Sequence, residues 1–259
     1  MSNLKRFATI FGLLTISIHA YTLDPAPGLY AGIILGGSYL TSVNLQNLNP
    51  YFSNLYATNS TFSQYLKSLG ATVNSNSTYS LNYSFMGLLG AQVGYRYNNF
   101  RMELEGFYNT NPVNYLAINA VKLSSNSSKD AYVSGQTNIS AGFVNFYYDL
   151  IAPGNIDSSI SPYIGLGVGY SRVQNNLNLQ VEDILINQSS LAQTKGAVAG
   201  QLIAGLAYFI DNDSYFGCDA RIFSTVGIQQ PYPYNNNQNT NNYRLTSVNI
   251  TYNGHFDLG

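Results

Sequence analysis

Charge is the scarcest property of this chain: Asp, Glu, Lys and Arg make up 9% of its 259 residues. The signs nearly cancel, with 11 basic against 12 acidic residues and a net charge of −1. That balance gives no electrostatic footprint for nucleic acid, so none is expected as a partner. Tryptophan is absent and Cys218 is the single cysteine, which excludes a disulfide within the chain. Beyond residue 20 there is one histidine, His255. No GxSxG, HExxH, paired-cysteine metal motif or phosphate-binding loop occurs. We read the chain as a non-enzyme with no catalytic residues, no cofactor and no metal.

Long apolar runs are also missing. The first twenty residues carry Lys5 and Arg6, an apolar stretch over 7–18, and Ile18-His19-Ala20 before Tyr21. This pattern predicts a cleaved signal peptide over 1–20, leaving 21–259 as one domain. The stretch is too short to span a bilayer, which takes about 20 residues. The best later candidate, 198–210, is interrupted by Gln201 and Gly205. If the mature chain crosses a membrane, it crosses as strands.

What is present is alternation. Residues 162–171 read PYIGLGVGYS, with Ile164, Leu166, Val168 and Tyr170 on one face and Gly165, Gly167 and Gly169 on the other. A period of two is a strand. An apolar face against a nearly bare one suits lipid outside and a crowded barrel inside. Eight such segments are predicted: 29–40, 81–97, 100–110, 137–150, 162–171, 196–210, 215–227 and 243–256. In the second, Tyr83, Phe85, Leu89, Ala91, Val93, Tyr95 and Tyr97 share a face. Asn98-Asn99 then makes a tight hairpin, because asparagine tolerates positive φ. A two-residue loop pairs Tyr97 with Phe100 and Arg96 with Arg101, so apolar faces apolar and charge faces charge.

Connection lengths alternate too. Short or medium links follow the second, fourth and sixth segments. Long ones follow the others, over 41–80, 111–136, 173–195 and 228–242. Short turns on one side and long loops on the other mark an up-and-down barrel in an outer membrane. Two loop segments show helical stripes: Phe62, Tyr65, Leu66 and Leu69, with Ser60 as cap and Gly70 as stop, and more weakly Val181, Ile184 and Leu185. Both stripes are read as small loop cores rather than binding faces.

The few charges are sorted by parity. Arg96, Arg101, Glu103, Glu105, Asp149, Asp219 and Arg221 all take the inward face. Arg172 and Arg244 point outward, at strand ends where headgroups begin. A charge at the membrane midplane costs about 2–4 kcal/mol in a barrel, so this sorting is what lipid demands. The inward set is expected to form a salt-bridge network filling the lumen, with Glu103 or Asp149 bridging the opposed arginines; a narrow pore lined by the same ions is the alternative. Tyr30, Tyr39, Tyr83, Tyr97, Phe100, Tyr108, Tyr170, Tyr208 and Tyr243 lie near strand ends and suggest interfacial girdles. Cys218 falls on the apolar face as a small lipid-facing residue. A soluble carrier barrel would need the opposite polarity.

The segments GLYAGIILGGSY (28–39), YRYNNFRMELEGFY (95–108), VNFYYDL (144–150) and PYIGLGVGY (162–170) resemble the superfamily of small eight-stranded outer-membrane β-barrels. That superfamily includes the opacity proteins, OmpX-type proteins and OmpA-type transmembrane domains. The resemblance implies an all-β fold: an eight-stranded antiparallel transmembrane barrel with short periplasmic turns and four long extracellular loops. It implies export to the outer membrane of a Gram-negative-type bacterium, with membrane lipid and the barrel-assembly machinery as partners. Phe256 is the candidate assembly signal, departing from the usual terminal aromatic because Asp257-Leu258-Gly259 follows. For function, the expectation is a scaffold whose loops meet a host or environmental surface molecule. The alternative is a small porin-like channel.

Overall fold

The structure, a computed structural model, describes residues 27–45, 49–119, 121–124, 131–150, 159–181, 184–186, 193–229 and 240–256. The expected signal peptide and the last three residues lie outside them. Eight long strands form a ring: β1 (Gly28–Leu40), β2 (Met86–Tyr97), β3 (Phe100–Ile118), β4 (Ala131–Asp149), β5 (Ile160–Val181), β6 (Gln193–Phe209), β7 (Ser214–Thr225) and β8 (Arg244–His255). Each pairs antiparallel with its neighbours in sequence, and β1 pairs with β8 to close the barrel. Closure satisfies every ladder and leaves no edge, which lipid requires of any sheet that crosses it.

The alternation explains which way each strand faces. Ile33, Leu35, Leu89, Val93, Leu104, Phe146, Leu166, Val168, Leu202, Ile222, Val248 and Ile250 are all exposed. Such a continuous apolar belt is intolerable in water and matched by acyl chains. Cys218 lies on this outer surface. At the Asn98–Asn99 turn Asn98 takes φ 52°, and Tyr97 meets Phe100 while Arg96 meets Arg101, as the sequence predicts. The β6–β7 turn is held by Asp211, whose Oδ1 accepts from the Ser214 hydroxyl (2.9 Å) and from the amides of Asp213 (2.9 Å) and Ser214 (2.6 Å). These bonds, the Ser214 hydroxyl first, hold its carboxyl below the usual carboxylate range.

Several expectations need correction. Much of what reads as long loop is strand: residues 111–118 extend β3, 131–136 extend β4 and 173–181 extend β5. Above the lipid both faces of a strand meet water or protein, so polar residues fall on both and the alternation disappears. The weak helical stripe is also a hairpin, with Ile184–Ile186 pairing Leu179, Gln180 and Val181. The second segment is two strands, Tyr79–Tyr83 and β2. Tyr79, Leu81 and Tyr83 keep one parity and are buried, the chain leaves strand at Ser84 and Phe85, and in β2 the buried parity is that of Leu88 and Gln92, so Tyr83 lies inside while Phe85 and Leu89 stay outside. The break resets parity, and parity counted across it fails. Tyr30 and Tyr243 are buried as well, so with Tyr83 they leave the girdle.

The connection after β1 folds into a cap. It holds α1 (Asn49–Thr58) and α2 (Ser60–Ser68). The cap residue of α2 is Asn59 rather than Ser60: its Oδ1 accepts from the Phe62 amide at 2.8 Å. Gly70, at φ 77°, stops the helix, with the Ala71 amide bonded to the Leu66 carbonyl and the Gly70 amide to that of Lys67. Phe52, Phe62 and Leu66 are buried, and Phe52 stacks on Tyr79 at 4.8 Å between ring centroids. Burial pushes the Tyr79 phenol to about 12. These side chains join Leu40, Leu245, Ile34 and Phe107 in one apolar core that runs from the cap into the barrel.

Candidate functional site

The bare face of β5 is where the lumen is built. Register sets Tyr147, Asn145 and Phe143 of β4 opposite Gly165, Gly167 and Gly169. A Cβ on Gly165 would strike the Tyr147 ring, one on Gly167 the Asn145 amide, and one on Gly169 both the Gly142 carbonyl and Phe143. Each glycine therefore makes room for a large neighbour that crosses the interior. Gly94 does the same for Tyr30 and Glu103, and Gly205 for Tyr163 and Asp219.

All seven charged residues assigned to the lumen are buried there, in two clusters. The first lies at the short-turn end. Arg101 donates from Nη2 to Asp149 Oδ1 (2.9 Å) and from Nη1 to the Tyr215 hydroxyl (2.9 Å). Arg96 reaches the other oxygen of Asp149 at 3.5 Å, and Arg101 lies 3.7 Å from Glu103. Tyr30 donates to Glu103 at 2.5 Å. The Arg101 guanidinium also packs on the rings of Tyr163 (4.6 Å), Tyr147 (4.8 Å) and Tyr215 (5.6 Å), and Arg96 on Phe209 (4.8 Å). Aromatic faces attract cations, most strongly where water is excluded.

The second cluster centres on Arg221. It grips Asp219 with two bonds, at 2.7 and 3.0 Å, and donates to Glu105 at 2.6 Å. Asn145 and Gln201 also donate to Glu105, Tyr163 and Asn249 to Asp219. Above it Phe107, Phe143 and Phe223 meet with centroids 5.8–6.0 Å apart, all buried. The interior therefore runs from paired ions to a dry aromatic layer.

Gln92, Tyr163 and Tyr215 complete the clusters without having been singled out in the sequence, and Tyr30, expected in a girdle, joins them on Glu103. Parity alone could have found Gln92, which pairs with Glu105 across the hairpin. Among the described residues no three of His, Cys, Asp and Glu converge to hold a metal. His255 sits at the end of β8 beside Gly28. Phe256 is exposed, its amide bonded to the Leu29 carbonyl.

Comparison with known proteins gives the context. The profile of a family described as surface antigen matches residues 41–256. An outer membrane protein of Gluconacetobacter diazotrophicus is 33% identical over 181 residues, which is 69% of this chain and 41% of that protein. The chain thus spans less than half the length of that relative. Among solved structures, Neisserial surface protein A aligns over 88% of this chain and 97% of its own, at 11% identity and TM-score 0.48. OprG from Pseudomonas aeruginosa aligns over 90% and 100%, at 15% identity and TM-score 0.44.

Proposed function

The chain belongs to the surface antigen family and is a bacterial outer-membrane β-barrel protein; from that premise we propose that its barrel is a closed scaffold holding a folded cap toward the outside of the cell. One observation carries this reading. Arg221, locked between Glu105 and Asp219, lies beneath a contact layer of Phe107, Phe143 and Phe223. A barrel of eight strands has an interior just wide enough for side chains. Ions paired to one another and covered by rings are held in place rather than offered to a passing solute. The clusters serve to fill and fix the lumen.

Function then lies in the cap and the strand extensions, which meet a host or environmental surface molecule. The exposed polar surface of α1 and α2, with Asn54, Thr58, Ser60 and Gln64, suits hydrogen bonding to such a partner. Residues 1–20 direct export and are removed, 21–259 form the single domain, and Phe256 is read by the barrel-assembly machinery. The protein catalyses no reaction and needs no cofactor.

Planar-bilayer recording decides between scaffold and channel. The refolded protein is expected to be silent, with folding shown by heat-shifted electrophoretic mobility. Reproducible conductance steps that change in a Glu103→Ala, Arg221→Ala variant would make it a small porin instead.

A further inference from the structure

Outward-facing residues of β2 to β5 form a recess near the cap end of the apolar belt. On one rung Ala91, Gly106 and Gly142 stand directly opposite one another on adjoining strands, and Tyr170 closes the row. The next rung toward the cap reads Leu89, Tyr108, Ser140 and Arg172. The rung toward the midplane is filled by Val93, Leu104, Val144 and Val168. Strands lie about 4.8 Å apart, so three small residues in a row open a trough roughly 10 Å wide. The trough has a volume of about 700 Å³ and opens to the lipid.

Arg172 stands at its upper rim. It is the first charge on β5 after Ile164, Leu166, Val168 and Tyr170, and it is exposed. Among the described residues no carboxylate lies within ion-pair reach of it. The other outward-facing charge on the described barrel strands, Arg244, is also an arginine at the cap end. A guanidinium offers a planar fork that matches a phosphate, and Ser140 beside it adds a hydroxyl. An unpaired cation above an apolar trough has the polarity of a phospholipid headgroup above its chain.

We propose that this recess binds a phosphate-bearing acyl lipid of the outer leaflet, with Arg172 on the phosphate and an acyl chain over Gly106 and Gly142 between Tyr108 and Tyr170. The site rests on the reading that the cap end faces outward. It differs from ordinary annular contact because the trough is local and its cation is fixed at headgroup height.

The test uses native mass spectrometry of the full-length protein in detergent, with lipid A, its dephosphorylated counterpart and inorganic phosphate as probes. Wild type is expected to prefer lipid A over the dephosphorylated form by roughly fivefold, the scale of one arginine at an anionic headgroup. Arg172→Gln should abolish that preference. Gly142→Leu should lower retention of both lipids, since its Cβ finds no atom nearer than 3.9 Å and the side chain fills the trough from outside. Both variants are scored only with wild-type heat-shifted mobility. Equal retention of the two lipids by wild type, or retention that neither variant changes, overturns the proposal. Full displacement of lipid A by inorganic phosphate overturns it too, leaving a phosphate site. Sidedness is read separately by labelling a cap cysteine on intact cells, so failure of one reading is distinguishable from failure of the other.

Discussion

Arg96 and Arg101 stand directly opposite each other across the Asn98–Asn99 turn, and one carboxylate holds both: Asp149 lies 2.9 Å from Arg101 and 3.5 Å from Arg96. Arginine does not relieve such a clash by losing its proton, so the pair depends on that carboxylate and on the aromatic rings beneath each guanidinium. The opposition follows from a two-residue hairpin. The remedy comes from the next strand, where Asn99 and Asp149 are also joined, the Asp149 amide donating to the Asn99 carbonyl at 2.8 Å.

Asp149→Asn therefore leaves Arg96 without a carboxylate partner and Arg101 with Glu103 alone, at 3.7 Å. Removing one partner of a buried ion pair costs about 3–5 kcal/mol. The midpoint of urea unfolding in detergent should fall accordingly. Adding Arg96→Met to the same chain should recover part of the loss, because the repulsion goes with it. A double variant no more stable than Asp149→Asn alone would remove repulsion from the account.

Glycines on the two faces should respond in opposite ways. At Gly169 a Cβ would overlap the Gly142 carbonyl, which cannot rotate away, so Gly169→Ala should destabilise by about 1–3 kcal/mol. At Gly106, outward, the nearest atom to a Cβ lies 4.0 Å away. Gly106→Ala should be neutral, or stabilise by about 0.4–1 kcal/mol by restricting the unfolded chain. Equal effects at the two sites would contradict the assignment of inner and outer faces.

The cap should melt separately from the barrel. Phe62→Ala removes a buried ring against Phe52, a loss of about 3 kcal/mol or more. Asn59→Ala removes the α2 cap bond for about 1 kcal/mol. Amide exchange over 49–68 should quicken in both variants, more in the first, while heat-shifted mobility stays. If partner binding survives Phe62→Ala with the cap demonstrably open, the cap is not the binding element.

How far the sequence could be read follows from where lipid acts. Within the belt every second residue must be apolar, so Ile164, Leu166, Val168 and Tyr170 declare their strand, and Arg101, Glu103 and Glu105 declare the inside. At the Asn98–Asn99 turn even the register was legible. Beyond the belt that pressure ends. The Asn-rich run through 174–178 pairs as strand with no alternation to betray it. Tyr83 misled because the chain leaves strand at Ser84 and Phe85, so the parity of Tyr79–Tyr83 does not carry into β2. Which tyrosine meets which carboxylate, as Tyr30 meets Glu103, depends on the pairing of β1 with β2 across the intervening cap and on the space at Gly94, and neither is a local signal.

Cys218 gives a handle on sidedness. It faces outward, paired with Leu206 on β6 and Ile250 on β8, both exposed and apolar. A thiol surrounded by acyl chains lies out of reach of a charged reagent in water, so a charged maleimide should not label the folded protein and should label it after unfolding. That silence makes the native chain a background for single added cysteines. Asn54→Cys, on the exposed face of α1, should label on intact cells. Asn212→Cys, in the β6–β7 turn, should label only after the cells are broken. The reverse pattern would invert the barrel in the membrane, placing the Arg96–Asp149–Arg101 cluster at the cell surface and the cap in the periplasm. Adhesion through the cap and phosphate capture at Arg172 in the outer leaflet would then both fail on topology alone.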